Sequence, residues 1–188
     1  QVERTRLRPV ASGAVSVRAA WIWLLFLCAI GLVVLLQLPL SAQIAALAIL
    51  VPVAAYPYMK RITWWPQAWL GIVFTWGAPV GWIAVRGGVD APLVALYLGA
   101  MCWCIGYDTI YALQDREDDA LVGVRSSAIR MGKKVQAGVS VFYAAAIALW
   151  ALAVWLERPQ SLALLALLPV AVHLGWQVLT LKTEDGGD

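Results

Sequence analysis

An all-α bundle that crosses a membrane six times is the fold class this sequence predicts, on three observations. The 188 residues are 62% hydrophobic and 13% charged, with a mean hydropathy of +0.77, whereas a water-soluble domain is nearer half apolar and a quarter charged. The apolar residues lie in six runs free of Asp, Glu, Lys and Arg, each about the 20 residues a spanning helix requires. Those runs lack the short apolar/polar alternation of a barrel, so the backbone must close its hydrogen bonds in helices. Soluble-enzyme and disordered classes are thereby excluded, no room is left for a separate water-soluble domain, and no nucleic-acid partner is expected.

Taken in order, Ala19 to Leu38 predicts a span over 19–38, and Ser41 to Met59 predicts one over 41–59, closed by Lys60 and Arg61. Ile62 to Val85 predicts the third over 65–85, with Pro57 and Pro66 expected to break the helices on either side of the turn. Ala91 to Tyr107 predicts a fourth that continues over 91–113 toward an acidic segment. Val135 to Leu156 and Pro159 to Leu181 predict the last two, over 135–156 and 159–181. The whole of 1–188 reads as one integral membrane domain. Gln1 at the start and the polar tail from Lys182 to Asp188 suggest an internal piece of a longer protein.

Charge orients the bundle. Spans crossing alternately put Arg4, Arg6, Arg8, Arg18, Lys60, Arg61, Arg116, Arg125, Arg130, Lys133, Lys134 and Lys182 on one side, and only Arg86 and Arg158 on the other. The positive-inside rule makes the crowded side cytoplasmic. Topology and anionic lipid headgroups explain a basic rim by themselves. They do not explain the acids: Asp108, Asp115, Glu117, Asp118 and Asp119 fall within one short stretch at the exit of the fourth span, and acids contribute little to topology.

If the fourth helix continues at about 100° per residue, Asp115 and Asp119 point within about 20° of Asp108, Tyr111 and Asp118 fall within about 80°, and Glu117 faces away. Like charges at i and i+4 destabilise a helix, and desolvation adds to the cost. The stripe therefore requires a compensating cation. One candidate is the nearby arginines, Arg116 and Arg125, balancing a solvated loop; that suits Glu117 and Asp118. The other is a divalent metal, and carboxylates at i and i+4 suit Mg²⁺ held together with phosphate oxygens. Asp108 lies inside the apolar run, where a solvated loop does not account for it, so Asp115 and Asp119 are read as metal ligands.

A second signal is the basic turn from Ala55 to Gly71, in which Tyr56 and Lys60 are four apart and share a helix face, with Arg61 adjacent. Alone, Lys60 and Arg61 read as topology anchors. Facing an acidic stripe with its metal, they would form a cradle for a diphosphate. Cys28, Cys102 and Cys104 lie in apolar runs and read as small apolar filler, and His173, without a metal-binding companion, as a packed or hydrogen-bonded residue. Of the 11 tryptophans, Trp21, Trp23, Trp64, Trp65, Trp82 and Trp155 lie near span ends, where interfacial belts put them, while Trp76, Trp103 and Trp150 lie deeper.

Two blocks carry a family resemblance. YPYMKRITWWPQ, from Tyr56 to Gln67, contains a Tyr-x-x-x-Lys element as Tyr56 and Lys60 and the form Lys-Arg-x-Thr-x-x-Pro-Gln. YDTIYALQDREDDALVGVRSSA, from Tyr107 to Ala128, contains Asp-x-x-Tyr-Ala-x-x-Asp-x-x-x-Asp as Asp108, Tyr111, Ala112, Asp115 and Asp119. On these blocks the chain resembles the UbiA superfamily of intramembrane prenyltransferases, and most of all its bacterial 4-hydroxybenzoate polyprenyltransferase branch.

The resemblance implies a ring of nine transmembrane helices around a cavity open to lipid, of which six are present here. It implies Mg²⁺-dependent transfer of a polyprenyl group from its diphosphate to carbon 3 of 4-hydroxybenzoate, in ubiquinone biosynthesis, at the cytoplasmic rim of the bacterial inner membrane. Asp115 and Asp119 are then the metal ligands, and Tyr56, Lys60, Arg61, Arg4 and Arg8 the candidates for the diphosphate, Arg4 and Arg8 also for the benzoate carboxylate. Asp108 and Tyr111 are the candidate catalytic residues, Asp108 as the base for the ring proton or as a stabiliser of the allylic cation. The family's first aspartate motif would end about two residues before Gln1, so residues 1–188 alone are expected to be inactive. The alternatives are a branch with another acceptor, such as haem, chlorophyll or naphthoate, and a non-catalytic membrane carrier or cation transporter. The outer half lacks a matching polar pathway, with only Arg86, Asp90, Glu157 and Arg158 near that surface, which weighs against transport.

Overall fold

In a computed structural model of the chain, residues 7–114, 121, 123–159 and 162–181 are described. Among them every element is helical, and six stretches are long and apolar enough to cross a membrane: Val17–Leu35, Leu40–Ile62, Pro66–Arg86, Ala91–Gln114, Ser127–Glu157 and Leu162–Thr180. The first is one helix, α1 (Val17–Leu35), capped by Ser16, whose hydroxyl oxygen accepts from the Ala19 N–H at 3.2 Å. It ends before the expected Leu38. Leu36 and Gln37 close it in a turn ahead of Pro39, and the Gln37 side chain donates back to the Val33 carbonyl at 3.1 Å.

The second and third spans are each broken in two. α2 (Leu40–Ala48) and α3 (Leu50–Ile62) meet at Ile49; α4 (Pro66–Phe74) and α5 (Gly77–Arg86) meet at Thr75 and Trp76. Proline chemistry accounts for both breaks. Pro52 and Pro79 lack the N–H that would bond the carbonyl four residues back. The Thr75 carbonyl takes the Ala78 N–H at 3.0 Å instead, in a tighter turn, while the Thr75 hydroxyl donates to the Gly71 carbonyl at 2.7 Å. The sequence pattern expects a break at Pro57, and the structure corrects it: α3 runs through Pro57 to Ile62. Membrane helices tolerate an internal proline because neighbouring groups re-satisfy freed backbone. Pro66 does mark a boundary, at the first position of α4, where its missing N–H costs nothing.

Aromatic side chains tie these kinked spans together. Trp69 donates to the Pro52 carbonyl and Trp76 to the Ala45 carbonyl, both at 2.8 Å, and the Tyr97 hydroxyl donates to the Ile72 carbonyl at 2.9 Å. Three of the polar aromatic groups are therefore interhelical fasteners.

The remaining helices are α6 (Ala91–Gln114), α7 (Ser127–Met131), α8 (Val135–Glu157) and α9 (Leu167–Thr180), with short 3₁₀ turns at Gly132–Lys134 and Leu162–Ala166. The central pairing is α6 against α8. It is close because Gly99 and Gly106 of α6 lie under the rings of Trp150 and Tyr143 of α8. On the far side, the Tyr143 hydroxyl donates to Gln177 at 3.0 Å, and Gln177 in turn meets His173 at 3.1 Å. α1 buries no residue against the described chain. Its apolar circumference suits contact with lipid tails, which are as apolar as leucine. At one end of the bundle Arg86 pairs with Glu157 and lies over the Trp82 ring. The opposite end carries the candidate site.

Candidate active site

The site assembles where the C-terminus of α3 meets the last turns of α6. Tyr56 and Lys60 lie one helical turn apart on α3, both half-buried, and Arg61 beside them is exposed. These cations also end a helix whose last carbonyls lack intrahelical partners, a favourable place for positive charge. Asp108, half-buried on α6, lies within electrostatic range of Lys60 and of Tyr56. Three residues from two distant sequence blocks, Tyr56, Lys60 and Asp108, are thus brought together.

Next to Asp108 in the chain, Tyr107 is the centre of an aromatic cluster. Tyr107 sits 4.8 Å from Trp103, 6.1 Å from Phe74 and 6.3 Å from Tyr111 between ring centroids. Tyr111 itself is 60% exposed and edge-on to Tyr107. Arg8 is exposed in the turn that leads into α1, its carbonyl accepting from the Ser12 N–H at 2.8 Å. Asp115, Asp119 and Arg4 lie outside the described residues, as do Arg116, Glu117 and Asp118.

Sequence reasoning missed the polar junction beneath this rim. The Arg125 N–H donates to the Lys60 carbonyl at 2.9 Å, and its guanidinium donates to the Ile62 carbonyl at 2.8 Å while lying 5.3 Å from the centre of the Trp64 ring. Arg125, expected as a counter-ion for the acidic segment, which lies outside the described residues, caps the end of α3. Two residues on, the Ser127 N–H donates to the buried Gln67 Oε1 at 3.1 Å, and the hydroxyls of Ser127 and Thr109 are 2.7 Å apart. Ser126 caps α7 by accepting from the Ile129 N–H at 3.3 Å. A usable signal was present: Thr109 follows Asp108 inside an apolar span, and Gln67 follows the proline that opens another.

The donor chemistry at the rim fits Mg²⁺. The carboxylates that follow α6 in sequence, Asp115 and Asp119, are hard oxygen donors of the kind that cation takes. Softer competitors are engaged elsewhere, the Cys104 thiol with the Tyr107 hydroxyl at 3.6 Å and His173 with Gln177. Among the described residues no group of three metal-ligating side chains gathers, and Asp115 and Asp119 lie outside them.

The description of the UbiA prenyltransferase family matches residues 1–188. The chain is 41% identical over 189 residues to the mitochondrial 4-hydroxybenzoate polyprenyltransferase of Drosophila melanogaster, a match covering 100% of this chain and 48% of that relative. It is 39% identical over 194 residues to the 4-hydroxybenzoate octaprenyltransferase of Paracidovorax citrulli (strain AAC00-1), covering 98% of this chain and 63% of that protein. The chain spans about half the length of several of the curated relatives it matches. Among solved structures, the apo structure of a UbiA homolog from Aeropyrum pernix K1 superposes with a TM-score of 0.78 at 27% identity, over 94% of this chain and 68% of that one. With six membrane-spanning stretches, this multi-pass helical chain belongs to the UbiA prenyltransferase family.

Proposed function

We propose that this protein transfers a polyprenyl group from polyprenyl diphosphate to carbon 3 of 4-hydroxybenzoate, in ubiquinone biosynthesis, at the cytoplasmic rim of a bacterial inner membrane. The observation that carries the reading is the meeting of Tyr56 and Lys60 with Asp108 at the end of the bundle, in a chain whose relatives bear 4-hydroxybenzoate prenyltransferase names.

The chemistry divides among the residues by charge and depth. Lys60 and Arg61 hold the diphosphate and neutralise the charge it gains as the allylic C–O bond breaks and the electron pair leaves with it. Tyr56 donates to the same group through its hydroxyl. Asp115 and Asp119 would hold Mg²⁺, which when bound would supply further positive charge for the diphosphate. The rings of Tyr107, Trp103 and Phe74, with Tyr111 at the edge, offer π faces to an allylic cation and keep water away from it. Carbon 3 of the phenol forms the new C–C bond, and Asp108 accepts the proton that the ring then loses.

Membranes containing the full-length protein, supplied with labelled 4-hydroxybenzoate, a prenyl diphosphate and Mg²⁺, are expected to form the 3-prenyl product. Preferential prenylation of a naphthoate, haem or chlorophyll precursor would overturn the choice of acceptor. Lys60→Ala is expected to raise KM for prenyl diphosphate about tenfold and leave KM for 4-hydroxybenzoate within about twofold, the signature of one lost charge contact to the diphosphate. Altered span orientation with normal kinetics in the correctly inserted fraction would reduce Lys60 to a topology anchor.

A further inference from the structure

Aromatic side chains apart, the buried polar side chains among the described residues gather at a single junction: Gln67 at 2% exposure, and Thr109, Ser126 and Ser127 at 0%. A buried polar group is costly unless paired, and more so where no water can reach it. A cluster of four in a chain otherwise so apolar calls for a role beyond filling space.

Its hydrogen bonds have a determined direction. The Thr109 hydroxyl donates its one proton to the Ile105 carbonyl at 2.6 Å, so across the 2.7 Å contact the Ser127 hydroxyl is the donor and Thr109 the acceptor. The Ser127 N–H meanwhile donates to Gln67 Oε1. One residue thus links α6 next to Asp108 with the start of α4. Arg125 adds the third connection, to the carbonyls of Lys60 and Ile62. These carbonyls belong to the helix end that presents the basic side chains, and a helix end leaves such groups without partners of its own. The loop entering α7, the turn bearing Lys60 and Arg61, and the α6 turn bearing Asp108 and Thr109 are therefore fastened to one another by directional bonds.

We propose that Thr109, Ser127, Gln67 and Arg125 are positioning residues, a polar latch that fixes the Lys60–Arg61 turn relative to Asp108 and so sets the geometry of the diphosphate end of the site. The proposal rests on the reading of Lys60 as a diphosphate ligand. The latch touches neither substrate; it acts through Lys60, and an effect on diphosphate binding that depends on Lys60 distinguishes it from general support of the fold.

The test is a double-mutant cycle in the full-length protein, read as the Kd for geranyl thiolodiphosphate, which binds without reacting, together with KM for 4-hydroxybenzoate and Tm. Thr109→Val removes the hydroxyl at nearly constant volume and is expected to weaken the analogue about fivefold, with the acceptor KM unchanged, and Thr109→Ser to restore the affinity. In a Lys60→Ala background the same Thr109→Val change is expected to add almost nothing. An equal loss with and without Lys60, or a lowered Tm with normal affinity in the folded fraction, overturns the latch. If Lys60→Ala alone leaves the analogue's affinity unchanged, the diphosphate reading of Lys60 falls first and the latch with it, a result distinct from simple additivity. Should Thr109→Val fail to fold, Arg125→Ala, at the more accessible edge of the junction, is read in the same cycle with the same criteria.

Discussion

Asp115→Asn or Asp119→Asn in the full-length protein is expected to lower kcat/KM for prenyl transfer on the order of 100-fold, the scale of losing a preorganised charge in the transition state, while insertion and Tm stay unchanged. The two positions are four apart in the Asp-x-x-x-Asp pattern that follows Asp108, and i, i+4 carboxylates share a helix face. Two oxygen ligands one turn apart, with open positions left for phosphate oxygens, suit Mg²⁺. Asn keeps the shape and loses the charge, so folding is expected to be spared and metal affinity is not. Glu117→Gln is the internal control, because a helix continuing at about 100° per residue would turn position 117 opposite Asp108. The measurement is prenyl transfer at saturating and limiting Mg²⁺ for the three variants at matched protein level. Equal losses in all three would show that the face argument is wrong and that the acidic segment acts only through its total charge.

The other large effect concerns assembly. Gly99→Val and Gly106→Val are each expected to destabilise the bundle by about 1–3 kcal/mol, the usual cost of overfilling a packed interface. A Cβ at Gly99 would lie 2.6 Å from Trp150 Cδ1 and 3.2 Å from the Ala146 carbonyl oxygen, and one at Gly106 would enter the Tyr143 ring. These glycines are seven apart, two turns along the same face of α6, and small residues of this kind let membrane helices approach closely. Gly31→Ala serves as control: a Cβ there meets nothing within 4 Å, and in a helix interior alanine is, if anything, the better residue. Thermal aggregation in detergent and protein level in membranes report the difference. An unchanged Tm for Gly106→Val would mean that α6 and α8 can separate without loss, and that their contact is not the centre of the fold.

Much of the candidate site was legible because its residues sit in short, local patterns. Tyr56 and Lys60 share a face by helical period alone, and Asp108 stands out because a carboxylate inside an apolar run demands a reason. The structure then put these two blocks in Coulombic reach of one another. Pro57 was misread for a related reason. Proline is a local signal, but whether it ends a helix depends on what re-satisfies the freed carbonyl, and that is decided by neighbouring spans. The breaks came instead at Ile49 and at Thr75 and Trp76, where the tryptophan is fastened to the Ala45 carbonyl of another span.

The sequence by itself determined the number of spans, the helical class and the family. A bilayer imposes its criterion locally: each crossing needs its own apolar length and its own closed backbone hydrogen bonds, so each can be recognised without knowing its neighbours. Only the tertiary structure decided that Gln67 pairs with Ser127 across 60 residues and that Arg125 caps a helix 63 residues upstream, at Ile62. It likewise decided that Tyr143 and Trp150 close over the glycines of α6. A buried donor can be satisfied by any acceptor the packing delivers, and the closeness of two helices depends on both surfaces at once. Neither is a property of one segment, so neither is written in one.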